Sequence, residues 1–207
     1  MTTPGDRRPI AARETALARG ATAWLAARGA SADGISAAGM VAGLVAGLLL
    51  ALAPEQGRWA WFGAALFIQL RLLANMLDGM VAVARGTTSP RGELWNEVPD
   101  RISDTAALLG LGWAAGDFAL GMGAALAAMA TAYVRAVGKG AGAGSDFSGP
   151  MAKQQRMAMV TATAFLCGIA PATMAMNGIP ALALWIVLAG SVLTTVLRLA
   201  RIAGRLG

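Results

Sequence analysis

Apolar residues run in long blocks along this chain, and the polar ones gather between them. No charged side chain occurs between Asp33 and Glu55, and none for 41 residues between Arg156 and Arg198. A bilayer core about 30 Å thick is crossed by about 20 helical residues, so the second block suffices for two crossings. With the turn punctuation added, the pattern predicts an all-α integral membrane protein. It has six transmembrane helices and an N-terminal interfacial amphipathic helix, in a single membrane domain over residues 1–207 with the six-span bundle over 35–207.

Residues 7–29 place Ile10, Leu17, Trp24 and Leu25 broadly on one side of a helix, with Arg8, Arg19 and Arg28 elsewhere. Such a helix lies in the membrane interface. The first span is predicted over 35–53 and ended by Pro54. Its Gly39, Gly43 and Gly47 recur at four-residue spacing, which lets another helix approach closely. The second span, 59–85, carries Gln69, Arg71, Asn75 and Asp78; a turn at 86–92 leads to the third, 93–115, polar in its first three turns. The fourth covers 118–138, followed by a flexible glycine-rich loop at 138–150. The fifth covers 151–170, and a break at 171–180 precedes the sixth, 179–198.

The basic residues test this layout. Arg7, Arg8, Arg13, Arg19 and Arg28 precede the first span, and Arg85 and Arg91 flank the turn after the second. Arg135, Lys139, Lys153 and Arg156 surround the loop after the fourth, while Arg198, Arg201 and Arg205 follow the last. The three other connections add only Arg58. With six spans the rich segments share one side, which the positive-inside rule assigns to the cytoplasm, together with both termini.

Composition agrees: 57% of residues are hydrophobic and 14% charged, against about a quarter charged in a soluble domain. Net charge is +6, yet the arginines cap apolar segments instead of lining one polar face. They therefore suit anionic lipid, and nucleic acid is not a partner. The chain has no histidine, which excludes an imidazole base, and its single Cys167 cannot form an internal disulfide. The Arg-rich N-terminus reads as no signal peptide, because the first long apolar run starts only near Ile35. Met and Trp read as packing and interface anchors.

Ionisable residues inside spans are costly and usually functional. Asn75 and Asp78 are neighbours on one helical face; Asn96, Asp100 and Asp104 recur every four residues on another, with Glu97 beside them. The short turn makes the two helices antiparallel, so these faces meet near the cytoplasmic surface. Carboxylate and amide oxygens without His or Cys favour a hard divalent cation, Mg²⁺, Mn²⁺ or Ca²⁺. Gly79 leaves room for a phosphate or metal to approach the backbone. The bland alternative is that the acids pair with Arg71, Arg85 and Arg101, and Glu97 with Arg101 has the i,i+4 spacing for it. Ser31 or Asp33 reads as a helix cap; Gly34 and Ser36 near a nucleotide is the competing reading.

This stretch resembles the signature of the CDP-alcohol phosphotransferases, D-x2-D-G-x2-A-R-x8-G-x3-D-x3-D. The spacing matches without a gap, and Asp78, Gly79, Ala82, Gly92 and Asp100 are identical to it. Asn75 and Asn96 stand at the first and third aspartates, and Val83 at the arginine. The resemblance implies transfer of a phosphatidyl-type group from a CDP-linked lipid or alcohol to an acceptor alcohol, releasing CMP, in phospholipid synthesis. It implies Mg²⁺ or Mn²⁺, one or two ions, at Asp78, Asp100, Asn75 and Asn96, with Asp100 also the catalytic base. Gly79, Ala82 and Gly92 would meet the nucleotide or phosphate, and Glu97 and Asp104 are auxiliary acids. Arg135, Lys153 and Arg156 would hold an acceptor, such as a phosphorylated alcohol; as interfacial lysine and arginine they equally suit lipid anchoring. A homodimer, which the glycine ridge permits, and a bacterial inner membrane complete the expectation. Two rivals stand beside it: a relative without turnover that binds nucleotide or lipid, and a small transporter with an intramembrane carboxylate site.

Overall fold

The computed structural model describes residues 11–87, 90–170 and 178–207; the expectations for 7–10, for 88–89 and for most of the break at 171–180 lie outside these residues, as does the Asn96 side chain. The described residues contain helices and no strand. A 3-10 turn, Ala11–Glu14, leads to α1 (Ala16–Ala27), α2 (Ala32–Gln56), α3 (Arg58–Ala84) and α4 (Pro90–Ala114), then α5 (Phe118–Gly140), α6 (Lys153–Ile169) and α7 (Ile179–Leu206). Four of them, α2, α3, α5 and α7, are long and apolar enough to cross a membrane. Their outward faces carry large apolar side chains, including Leu48, Leu66, Leu126, Trp185 and Val192. An aqueous surface would not tolerate so much exposed apolar area, and the chain is an integral membrane protein.

The N-terminal helix is shorter than its sequence pattern. Thr15 breaks it from the preceding turn by accepting a hydrogen bond from Ala18 N. Ala18 and Thr22 face α3, with the Thr22 hydroxyl 3.7 Å from Met80 Sδ, whereas Leu17 is 87% exposed and Arg28 stacks 4.0 Å over Trp24. Ser31 caps α2 by accepting from Gly34 N at 3.1 Å. Pro54 does not end α2, which runs on to Gln56 and stops at Gly57 (φ 74°). Proline so near a C-terminus forfeits one hydrogen bond without blocking the last turn, and glycine's left-handed φ ends the helix there. At the other end of the chain, α7 passes Arg198 and continues to Leu206.

Helix α2 lies between α3 and α4 and packs extensively against both, while α3 and α4 themselves touch little. The glycine ridge makes this insertion feasible. A Cβ on Gly43 would fall 2.4 Å from Ser103 Cβ, one on Gly47 2.5 Å from Ala106 O, and one on Gly110 2.1 Å from Gly47 O. The ridge is thus consumed inside the chain. Gly110→Ala is expected to overpack this crossing and cost about 1–3 kcal/mol, read as a lower unfolding midpoint in detergent; an unchanged midpoint would show that the crossing has slack.

On the other side α5 pairs with α7, and α6 bridges α3 and α7. The loop between α5 and α6, expected to be flexible, is fastened to α7. Arg198 donates to Ser148 O at 2.9 Å and to Thr131 O at 2.7 Å, Arg201 bonds the Ser148 hydroxyl, and Arg205 pairs with Asp146 at 3.3 Å. Burial pushes the Asp146 carboxyl up, but hydrogen bonds from Ser148 and the Arg205 and Arg201 charges outweigh it and hold it below the usual range. Met151 N closes the loop onto Thr194 Oγ1 at 2.9 Å. This anchoring sets where α6 begins, and therefore where Lys153 stands.

Candidate active site

Arg71, Asn75 and Asp78 fall at i, i+4 and i+7 on α3, a single helical face. Asp100 and Asp104 occupy one face of α4, and Lys153 and Arg156 one face of α6. These three faces meet at Asp100 and Asp104, beside a small cleft. Its lining is Ser36, Gly39 and Met40 from α2, Arg71, Asn75 and Asp78 from α3, and Pro99, Asp100 and Ser103 from α4.

Asp100 is the hub. Its Oδ1 accepts from Arg71 at 3.0 Å and from Asn75 Nδ2 at 2.9 Å, and its Oδ2 bonds the Lys153 ammonium, with Arg101 at 3.8 Å. Lys153 also donates to Asn75 Oδ1 at 2.7 Å. One turn deeper, Asp104 takes Arg71 at 2.5 Å and Arg156 at 3.2 Å. Asp78 differs from both. Its Oδ2 accepts from the Ser36 hydroxyl at 2.6 Å and its Oδ1 from Gly79 N at 2.5 Å. It makes no ion pair among the described residues, although it is only 3% exposed.

The candidate residues divide accordingly. Asp78, Asn75 and Asp100 come together; Gly79, Ala82 and Gly92 lie outside the cleft lining. A Cβ on Gly79 would approach nothing nearer than Arg13 at 3.8 Å, so that backbone is open to an incoming group. Glu97 turns away to Arg135 at 2.5 Å and Arg101 at 3.9 Å, and Asp104 is bound by two arginines. Neither auxiliary acid stands in for a missing aspartate. Arg135 lies against Glu97 and the Phe147 ring, and Arg156 is 1% exposed and committed to Asp104 and Met151 O. Arg156 is thus held in buried contacts, and Lys153 alone of the three reaches the hub. Ser36 and Arg71 are the residues that the motif did not single out as site members. Arg71 carried a signal, since it shares the face of Asn75 and Asp78; Ser36, on another helix, carried only the competing reading that sets it near a nucleotide.

The donor set fits a divalent cation. Asp78 keeps unused lone pairs on both oxygens, Asp100 faces the same cleft, and Asn75 adds an amide oxygen, all hard ligands. No cluster of three or more Asp, Glu, His or Cys suited to a metal occurs among the described residues, so the set is small.

No protein-family model matches this chain, and no curated protein matches it. Among solved structures it resembles phosphatidylinositol phosphate synthase (PgsA1) of Mycobacterium tuberculosis. The form with CDP-DAG bound matches at 23% identity and TM-score 0.74, over 88% of this chain and 92% of the other. The complex with manganese and citrate matches at 22% identity and TM-score 0.76, over 89% and 88%, and the apo form at 22% and 0.73, over 91% and 98%. Over nearly its whole length, the chain shares the fold of this synthase.

Proposed function

We propose that this protein transfers a phosphatidyl-type group from a CDP-activated lipid to an acceptor alcohol and releases CMP. The observation that carries the reading is the Asp78–Asn75–Asp100 oxygen set gathered in one cleft, on a fold shared with a synthase solved with CDP-DAG bound. A donor with a water-soluble head and acyl tails suits a polar cleft whose outer helix faces are apolar.

In this reading the acceptor oxygen attacks the phosphorus that bears the lipid oxygen, a new P–O bond forms, and the bond to the CMP oxygen breaks. Asp100 takes the acceptor proton. Arg71 and Lys153 fix the Asp100 carboxylate and set the orientation of both its oxygens. Asp78, Asp100 and the Asn75 amide oxygen would hold Mg²⁺ or Mn²⁺, which when bound supplies charge for the pyrophosphate and the leaving group. A manganese complex of the fold relative supports that assignment.

The finer architecture belongs to the same proposal. The chain is one membrane domain over 1–207 in which α4 and α6 also span, giving six crossings. Exposed Val98, Ile102 and Trp113 on α4 and Phe165, Leu166 and Ile169 on α6 support this. The cleft and both termini face the cytoplasm on the positive-inside rule, in a bacterial inner membrane. A homodimer would use lipid-facing side chains, because the glycine ridge is occupied.

The test is incubation of purified protein in nanodiscs with CDP-diacylglycerol, Mg²⁺ or Mn²⁺ and a panel of free and phosphorylated alcohols. CMP release above the no-acceptor control is expected with at least one. Tight binding of CDP-diacylglycerol with no CMP from any acceptor would favour the relative without turnover, the reading that Asn75 and Asn96 motivate.

A further inference from the structure

The charge pattern of the cleft says more than that a cation is needed. Asp104 is balanced by Arg71 and Arg156. Asp100 is balanced by Arg71 and Lys153. Asp78 is the buried carboxylate that makes no ion pair among the described residues. The Asp100–Asp104 network already holds Arg71, Lys153 and Arg156, but none of these pairs with Asp78. A buried carboxylate without an ion pair is disfavoured, so the requirement for positive charge is local to Asp78.

Asn75 explains why there is one and not two. Its amide has a fixed orientation: Nδ2 donates to Asp100 Oδ1 at 2.9 Å, and Oδ1 accepts from Lys153 at 2.7 Å. Lys153 closes the ring by bonding Asp100 Oδ2. An aspartate at 75 would lose the donor and set like charge against Asp100, a repulsion that a further cation would have to relieve. An amide avoids the repulsion, and the ammonium supplies the charge. Position 96 likewise carries an amide and contributes no negative charge.

We infer that this protein binds a single divalent ion, anchored on Asp78, and that the Asn75–Lys153–Asp100 ring takes the place of a second ion with a built-in monovalent cation. The inference rests on the transferase reading for its purpose, but not for its measurement. Lys153 is then a positioning residue for Asp100 and a fixed positive charge behind two of the cleft's lining residues, Asn75 and Asp100.

The experiment counts Mn²⁺ on the full chain in zwitterionic nanodiscs without substrate, following free Mn²⁺ by electron paramagnetic resonance. One ion per chain is expected at saturation. The isosteric Asp78→Asn variant should weaken binding at least tenfold. The triple variant Asn75→Asp, Asn96→Asp, Lys153→Met should bind two ions. A wild-type count of two or zero overturns the inference, as does undiminished binding in Asp78→Asn. A count of one in a triple variant that keeps the wild-type unfolding midpoint also overturns it; if the triple misfolds, the wild-type count and Asp78→Asn decide. One bound ion without CMP release would sink the transferase reading and leave the site; CMP release with two bound ions would do the reverse.

Discussion

Asp100→Asn is expected to lower CMP release about 10²–10⁴-fold, the usual contribution of a positioned acid–base group. The substitution keeps the side-chain shape and one acceptor oxygen, so it isolates the lost charge. In the wild type that carboxylate engages Arg71, Lys153 and Asn75. The amide can satisfy Arg71 or Lys153, but its NH₂ then confronts the other donor. A moderate loss of stability should accompany the loss of turnover, and an unfolding titration in parallel with the CMP assay separates the two. Turnover within threefold of wild type would remove Asp100 from the proton transfer.

Arg71→Met should be the most damaging substitution for stability, costing roughly 3–5 kcal/mol, the range for removing one partner of a buried ion pair. Arg71 is 2% exposed and its NH2 bonds both Asp100 and Asp104. Without it Asp104 retains only Arg156 and Asp100 retains Lys153 and a distant Arg101. Methionine fills much of the volume, so the loss reports charge and not a cavity. Reversible unfolding in mixed micelles measures it; a change below 1 kcal/mol would mean that water reaches the pair and that the network is not dry.

Much of this fold was legible because membrane helices announce themselves by length and apolarity, and the start of α2 by Ser31. The candidate site was legible where it followed one helix, as with Asn75 and Asp78 on α3. What escaped was the relation between helices. Periodicity gave no hint that α2 would wedge between α3 and α4, so the glycine ridge read as a surface for any neighbour when its partners are Ser103, Ala106 and Gly110. Arg156 and Arg198 sat at helix ends and resembled lipid anchors. The structure buries both, because Asp104, Ser148 and Thr131 offer them oxygen partners that the sequence separates by tens of residues. The resemblance and the cluster of cations set Lys153 near an acceptor; the Asn75 and Asp100 oxygens that fix it lie on two other helices.

The distribution of charges over α3, α4 and α6 bears on how the chain enters the bilayer. When the α3–α4 hairpin emerges from the ribosome, Asp100 and Asp104 share the Arg71 guanidinium, with Arg101 3.8 Å from Asp100. The other two cations, Lys153 and Arg156, arrive about fifty residues later on α6. Until then the polar end of the hairpin is best solvated at the interface or sheltered by the insertion machinery. Where α4 spans as proposed, its final seating is expected to wait for translation of α6.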